Sequence, residues 1–555
     1  MNDKYLYKIG VFLSVSILFA YIITLYIANG LPIYPDEIAA RLDHSRIGYD
    51  FPYKTGLTPM CRHTMLAYPS LWYLPAWVEW LIHGQIQNLT HLRIHGLVGS
   101  GLLLILLLFK LSQKQINPAV PIYKNLSFLL MGMAWILGVL CIGVMPFFLV
   151  TLRFEQTILC CLLVQLLLFS LSLKTTSERI IAVLLYFFSA SIMLYQHPKA
   201  LFLTPILILV GCQLFARLKK NIVYLLWILL IMIIITNYHI WVQMVDCSAS
   251  PNVAAIYSAA TVNFKNIWYH PTLFFSELGH SISNYRPELI HLRFQPNSEI
   301  GYLPHVSLTG FVRIFNKLIV FNYFALVLSV LFLTVRSYYH DLQHKKFLTP
   351  HLLVLGLLFC AFLNFSLNLC KHWYDAGYLW ALLVCAAVVY VSEHISWLIK
   401  QKATYVIFSY VLLVGIVSQY ILISNYWQPF HNGFEGPSIS LHNYDPTKTD
   451  GVFEKLSLAC QIDRKKAQYI IIDDATYLYF QQAPYPLAVT YILMGNDQNF
   501  LNQFGSKYPI DGMVVRARYL PEILQKKYAI KIDDFICVPK SNIKPLFSEW
   551  VVERI

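Results

Sequence analysis

Residues 222–242 read IVYLLWILLIMIIITNYHIWV, a stretch without a single Asp, Glu, Lys or Arg. At roughly 20 residues per crossing, it is long enough to traverse ~30 Å of hydrocarbon as a helix. A helix is the required form, because a spanning segment has to satisfy its own backbone hydrogen bonds. Arg217, Lys219 and Lys220 stand directly before it, the kind of basic flank that collects on the cytoplasmic side of a membrane.

Working outward, the same texture recurs along most of the chain. About eleven spans are expected near 9–29, 94–110, 126–145, 147–172, 180–195, 200–217, 222–242, 314–335, 350–370, 377–392 and 404–424, with Pro146 separating the third from the fourth. Of the 555 residues, 57% are hydrophobic and only 13% charged, where a soluble chain carries about 25% charged residues. The alternating pattern of a barrel strand is missing. The fold class expected is therefore an α-helical polytopic membrane protein. Lys4 and Lys8 precede the first apolar run, Ile9 to Ala28, and no small-residue cleavage site follows. The first helix is expected to be retained.

The net charge of +13 invites a nucleic-acid reading, but residues 425–555 hold as many acidic as basic side chains. The excess lies in the short loops between apolar blocks, where it reports topology and not a nucleic-acid surface. With the N-terminus inside, five loops come out cytoplasmic. They carry Lys110 with Lys114 and Lys124, Lys174 with Arg179, Arg217 with Lys219 and Lys220, Arg336 with Lys345 and Lys346, and Lys400 with Lys402. An odd number of spans then puts the tail outside.

Three outside segments are long. Residues 31–93 are rich in Pro, Tyr, Trp, His and Arg; within them 36–46 and 66–83 are expected as amphipathic helices at the interface, with Trp72, Trp77 and Trp80 as belt residues. Residues 243–312 form a second loop. The tail, 425–555, changes character: Tyr469 to Ile472 (YIII) and Met513 to Val515 (MVV) read as buried strands. Glu522 to Tyr528 reads as part of a short helix. The expected organisation is a transmembrane domain over 1–424 and a small C-terminal α/β soluble domain over 425–555. The eleven cysteines show no metal-ligand spacing. Cys460 and Cys537 both fall in the tail, where an oxidising compartment would allow them to pair; spacing alone does not choose the pairing.

Ionisable groups at membrane depth are costly and point to function. Four such groups share the outside face on this topology: Asp36-Glu37 after span one, Arg153-Phe154-Glu155 opening span four, His197-Pro198-Lys199 between spans five and six, and Lys371-His372-Trp373-Tyr374-Asp375 between spans nine and ten. Each has a structural alternative. Acids favour helix N-termini, so Asp36-Glu37 can cap an interfacial helix. Arg153 and Glu155 can form an ion pair at a helix end. His197 before Pro198 can mark a turn, Lys199 can snorkel, and Lys371 and His372 can be plain interface residues.

The order and common face of these elements resemble the membrane-embedded glycosyltransferases of the GT-C class, of arabinosyltransferase or mannosyltransferase type. The match lies in Y-P-D-E at 34–37, in Y-P-S-L-W-Y-L-P at 68–75, in Arg153-Phe154-Glu155, similar to an R-P-E element, and in Gln196-His197-Pro198-Lys199, similar to an H-P-T-G-type element. Phe154 stands where Pro is usual and Lys199 where a small residue is common, which leaves the subfamily and its sugar open. The resemblance implies an enzyme that transfers a sugar from a polyprenyl-phosphate donor to an acceptor hydroxyl on the outer face, with inversion. It implies an acceptor that is a glycan, a lipid or a protein, with membrane lipids as partners and no nucleic acid.

Such a transfer needs a base for the acceptor hydroxyl, and Asp36 is the first choice, with Glu37 positioning the acceptor or sharing the role. The leaving lipid phosphate needs cations, for which Arg153, His197, Lys199, Lys371 and His372 are candidates, Arg being suited to bidentate contact. Glu155, Arg62, His63, Tyr374, Asp375 and Arg286 are candidate substrate contacts. Some relatives of the class use a divalent metal, but no ligand set in the sequence compels one. The expected setting is a bacterial inner membrane, with the tail in the periplasm. Three other readings stand beside this one: a lipid-linked sugar transporter or flippase, an envelope glycan polymerase or ligase, and a non-catalytic scaffold. Repeated halves and interrupted helices would mark a transporter, and no repeat is apparent.

Overall fold

A chain this apolar closes its backbone hydrogen bonds within helices, and the structure, a computed structural model, does so in every described segment before residue 433 apart from its turns. It describes residues 3–29, 89–112, 132, 135–138, 145–150, 154–171, 173–216, 218–245, 262–263, 266–283, 310–367, 373–398, 402–432, 446–467, 469–473, 475–480, 483, 485–489 and 509–550. The helices are α1 (Asp3–Asn29), α2 (Leu89–Ser112), α3 (Met145–Val150), α4 (Phe154–Phe169), α5 (Thr176–Gln196), α6 (Thr204–Phe215), α7 (Lys220–Val245), α8 (Asn266–Tyr269), α9 (Pro271–Ser283), α10 (Gly310–Gln343), α11 (Pro350–Leu367), α12 (Trp373–Leu398) and α13 (Lys402–Asn432). A 3-10 turn, Pro198–Leu203, joins α5 to α6.

Among the described residues, six helices are long and apolar enough to cross a membrane: α5, α6 with its 3-10 turn, α7, α10, α11 and α12. Shorter apolar helical stretches lie in α1, α2, α4 and α13. Ten of the expected spans thus fall on helices, while 126–145 lies largely outside the described residues, as do the interfacial helices expected at 36–46 and 66–83. The crossing expected at 147–172 falls on α3 and α4, with 151–153 outside the described residues; Pro146 stands second in α3, where proline's missing N–H is no loss.

Local sequence sets several of these boundaries. Thr175 caps α5 by accepting from the Glu178 backbone, while the Glu178 carboxylate accepts from the Thr175 N–H, a reciprocal capping box. Pro198 opens the 3-10 turn, with its N-cap His197 accepting from the Lys199 N–H through Nδ1 at 3.2 Å. Phe274, Leu278 and Ser281 recur at helical spacing in α9, and Phe274 packs with Val262 and Leu367, holding the second long loop against the end of α11.

One core runs through α1–α7 and α10–α13. α12 is its centre, with an unbroken buried run from Tyr378 to Val389. α1 and α13 pack along each other, joined by a hydrogen bond from Thr24 to Gln419, both fully buried. Their approach depends on glycine: a Cβ on Gly415 would stand 2.7 Å from Ile17 Cδ1 and 2.8 Å from the backbone of Gly138. Gly415→Ala is therefore expected to destabilise the protein by about 1–3 kcal/mol through overpacking. Thermal unfolding in detergent checks this, and an unchanged unfolding temperature would mean that the helices are free to separate.

At one end of α11 and α12 a polar cluster ties three helices together. Asp341 of α10 contacts His351 Nδ1 at 2.6 Å, and the Nε2 atoms of His351 and His394 are 3.0 Å apart. Two imidazole nitrogens bond only if one donates and the other accepts, so a proton lies between them.

The tail holds α14 (Pro446–Ala459), β1 (Tyr469–Ile472), α15 (Tyr477–Phe480), β2 (Tyr485–Ala488), β3 (Ile510–Arg516), α16 (Glu522–Tyr528), β4 (Ile530–Ile532), β5 (Phe535–Pro539) and α17 (Lys540–Glu549). Its five-stranded sheet has the order β2-β1-β3-β5-β4, with β1 parallel to both neighbours and β5 antiparallel to β3 and β4. Strand residues alternate between faces. Ile471, Met513, Val515, Ile536 and Val538 pack with residues of α16 and α17, while Ile470, Ile472, Val514 and Cys537 pack with Phe453 and Leu456 of α14. Cys460 and Cys537 form a disulfide across the α14 face. The Asp473 carboxylate receives the backbone N–H groups of Ala475, Thr476 and Arg516, fixing the turn after β1 to the end of β3.

Candidate functional site

Two acidic residues open two helices at the end of the bundle away from the histidine cluster. Glu155 is in the first turn of α4 and Asp375 in the first turn of α12. Both positions favour a carboxylate, because the unsatisfied N–H groups of a helix N-terminus carry partial positive charge. The 3-10 turn brings Lys199 between them. Its ammonium is 3.0 Å from Glu155 Oε1 and also contacts Asp375 Oδ1.

This triad is nearly sealed: Glu155 is 0% exposed, and the side chains of Lys199 and Asp375 are each 10% exposed. The ammonium thus stands between two carboxylates, each in the first turn of its helix. Charges so far from water persist only when paired and hydrogen-bonded.

The surroundings hold the three elements in register. Asn364 of α11 donates through Nδ2 to the Lys199 carbonyl at 3.1 Å. Gln156, next to Glu155, donates to the Phe148 and Leu149 carbonyls at 3.1 Å each, pinning the start of α4 to α3. Ser100 of α2 adds a bond to the Leu149 carbonyl. A Cβ on Gly377 would meet the Phe148 ring at 3.0 Å, so glycine lets the first turn of α12 lie close on α3. The rings of Phe154 and His197 are 6.2 Å apart. One turn inside α12 lies Tyr378, 1% exposed.

Of the residues singled out in the sequence, the structure brings together Glu155, Lys199 and Asp375, with His197 alongside in the same turn as Lys199. Asp36, Glu37, Arg62, His63, Arg153, Arg286, Lys371 and His372 lie outside the described residues, as does the side chain of Tyr374. Sequence reasoning passed over Gln156, Asn364 and Tyr378. Tyr378 carried a usable signal, since it follows Asp375 by three residues on a helix and so shares its face. Among the described residues, no three His, Cys, Asp or Glu side chains stand together as a metal-ligand set.

No family model matches the sequence, and no curated protein matches it. Among solved structures, the chain is similar to the crystal structure of the Archaeoglobus fulgidus oligosaccharyltransferase tethered with an acceptor peptide containing the NVT sequon via a disulfide bond. The likeness has a TM-score of 0.40 at 12% identity and covers 93% of this chain and 70% of that one. At that level it bears on neither the site residues nor the reaction.

Proposed function

We propose that this protein is a membrane glycosyltransferase that moves a sugar from a polyprenyl-phosphate donor to an acceptor hydroxyl, with inversion at the anomeric carbon. The observation that carries the reading is the buried Glu155–Lys199–Asp375 triad. It joins three of the four charged elements expected on the outside face, two of which also carry the GT-C resemblance, although Glu155 and Asp375 are 220 residues apart by their numbering.

In this reading Asp36 takes the proton of the acceptor hydroxyl as it attacks, with Glu37 beside it. Arg153, Lys371 and His372 receive the leaving lipid phosphate, and Lys199 and His197 complete that positive rim. Arg62, His63, Tyr374 and Arg286 contact substrate. The N-terminus is cytoplasmic and residues 425–555 are extracytoplasmic. The loop charges support this orientation, and so does the Cys460–Cys537 bridge, since disulfides persist in oxidising compartments.

The test is transfer by the purified protein in liposomes supplied with a panel of polyprenyl-phosphate sugars and acceptors. Transfer from one donor is expected, and Asp36→Asn should lower kcat by about 10²-fold, as for loss of a general base. Movement of the lipid-linked sugar across the bilayer without transfer would overturn the reading in favour of a flippase. Full activity in the Asp36 variant would remove that residue from the role of base.

A further inference from the structure

Residues 266–283, NIWYHPTLFFSELGHSIS, belong to the second long loop and hold no Lys, Arg or Asp and a single Glu, Glu277. They fold as α8 and α9. Backbone bonds from His270 to the Asn266 carbonyl (2.9 Å) and from Phe274 to the His270 carbonyl (3.1 Å) join the two end to end. Helical spacing gives α9 three distinct sides. Phe274, Leu278 and Ser281 turn inward, with Phe274 and Ser281 buried. Phe275 and Ile282, two turns apart, lie along the neighbouring side and are exposed, Phe275 to 66%. Beyond them Thr272, Ser276, Gly279 and Ser283 form a polar side, also exposed. Just before the helix, Trp268 is 84% exposed and Tyr269 76%.

The packing of α9 shows at what depth this apolar side lies. Its inward side meets Leu363 and Leu367 of α11 together with Phe202, and the Val262 N–H bonds the Leu367 carbonyl at 3.0 Å. The 18 residues of α11 span about 27 Å at 1.5 Å per residue, hardly the ~30 Å of a hydrocarbon core. Its last turn, Leu363 to Leu367, therefore still lies at the hydrocarbon edge. Phe359 and Phe362 of the same helix are about half exposed and face the acyl chains around it. α9 is thus seated about one turn, roughly 6 Å, inside the boundary between acyl chains and headgroups. An interfacial helix buries its apolar face to that depth, roughly 5–10 Å, and Trp and Tyr collect at the same level.

We propose that α8 and α9 form an interfacial anchor whose exposed apolar side is covered by membrane lipid. Phe275 and Ile282 reach the acyl chains, Trp268 and Tyr269 stand at the headgroups, and the side bearing Ser276 and Ser283 faces water. Phe202 belongs to the 3-10 turn that carries Lys199, so the anchor lies on the triad's side of the membrane. Its seating fixes the depth at which the triad meets that leaflet. The inference rests on the membrane character of the chain and not on the glycosyltransferase reading.

The full-length protein in liposomes of phosphatidylcholine and phosphatidylglycerol tests it. The photoreactive residue p-benzoylphenylalanine replaces Phe275, Ile282, Ser276 or Ser283, one at a time. All four positions are exposed, so each replacement leaves the packing in place. On irradiation the Phe275 and Ile282 positions should give about tenfold more lipid adduct than the two serine positions, as for an apolar side in lipid and a polar side in water. Mass spectrometry reads the adducts.

Equal lipid adducts at all four positions would mean a segment sunk in the bilayer, and none at any position one held in water; either overturns the proposal. Covalent dimers from the Phe275 position would assign that side to a second copy of the chain and overturn it as well. Should the replacements prevent reconstitution, the wild-type protein still decides, labelled by a carbene reagent confined to the bilayer. Label on Phe275 and Ile282 but not on Ser276 or Ser283 is then expected, and no label within 266–283 overturns the anchor.

Discussion

Lys199→Met is expected to destabilise the protein by about 3–5 kcal/mol, the range for breaking a buried ion pair by removing one partner. The ammonium is the shared counter-charge of Glu155, fully buried, and Asp375, nearly so. Without it two carboxylates of like charge face each other across a site that water scarcely enters, where their repulsion is far less screened than at a surface. The helix N-termini at Phe154 and Trp373 offset part of this, each by a fraction of a kcal/mol to ~2 kcal/mol. The methylene stem of methionine keeps the packing, so the loss reports charge. Removing all three charges together, as Glu155→Gln, Lys199→Met and Asp375→Asn, should restore most of the stability, because an apolar replacement of a whole buried pair is often neutral. Equilibrium unfolding in detergent is the measurement; a loss under about 1 kcal/mol for Lys199→Met would show that the triad is solvated and the pairing weak.

Opening the Cys460–Cys537 bridge is the second large effect. The bond spans 77 residues of sequence, and loop-closure entropy for a loop of that size corresponds to roughly 4 kcal/mol. It ties the end of α14 to the middle of β5, on the face of the sheet where Phe453, Leu456 and Ile472 are buried. Cys460→Ala should therefore loosen that face, with α14 released to proteases while the spanning helices stay protected. The wild-type protein treated with reductant should give the same cleavage pattern. Two titratable thiols at these positions in protein purified from an oxidising compartment would rule the bridge out.

Helices and strands were legible wherever local pattern determines them. The apolar run at 222–242 lies within α7, and YIII at 469–472 and the Glu522–Tyr528 segment coincide with β1 and α16. β2 was harder to read, because Pro486 removes a ladder donor and argues against a strand. It is tolerated there because β2 is the edge of the sheet. The helix at Pro271–Ser283 was readable from the spacing of Phe274, Leu278 and Ser281, but it and the short helix at Asn266–Tyr269 were passed over as loop.

The site was legible as separate residues and not as an arrangement. Glu155, Lys199 and Asp375 each stood out as a charge beside an apolar run. Nothing in their spacing says that one ammonium serves two carboxylates, because that depends on how α4, α12 and the Pro198–Leu203 turn pack. For Tyr378 the one signal was its place three residues after Asp375; otherwise a tyrosine in an apolar helix looks like core until its hydroxyl is found buried without a partner among the described residues.

The two polar clusters on α12 have one more consequence. Asp375 is held to Lys199 near the start of the helix and His394 to His351 near its end. The nineteen residue steps from Asp375 to His394 span about 28 Å at 1.5 Å per residue, close to the ~30 Å thickness of a bilayer's hydrocarbon core. A helix tethered at both ends cannot slide or steepen to follow its lipid. In a thicker bilayer the lipid has to thin around the protein, and in a thinner one the whole bundle has to tilt, each at a fraction of a kcal/mol per ångström of mismatch. The chain thereby specifies the membrane thickness in which it sits without strain.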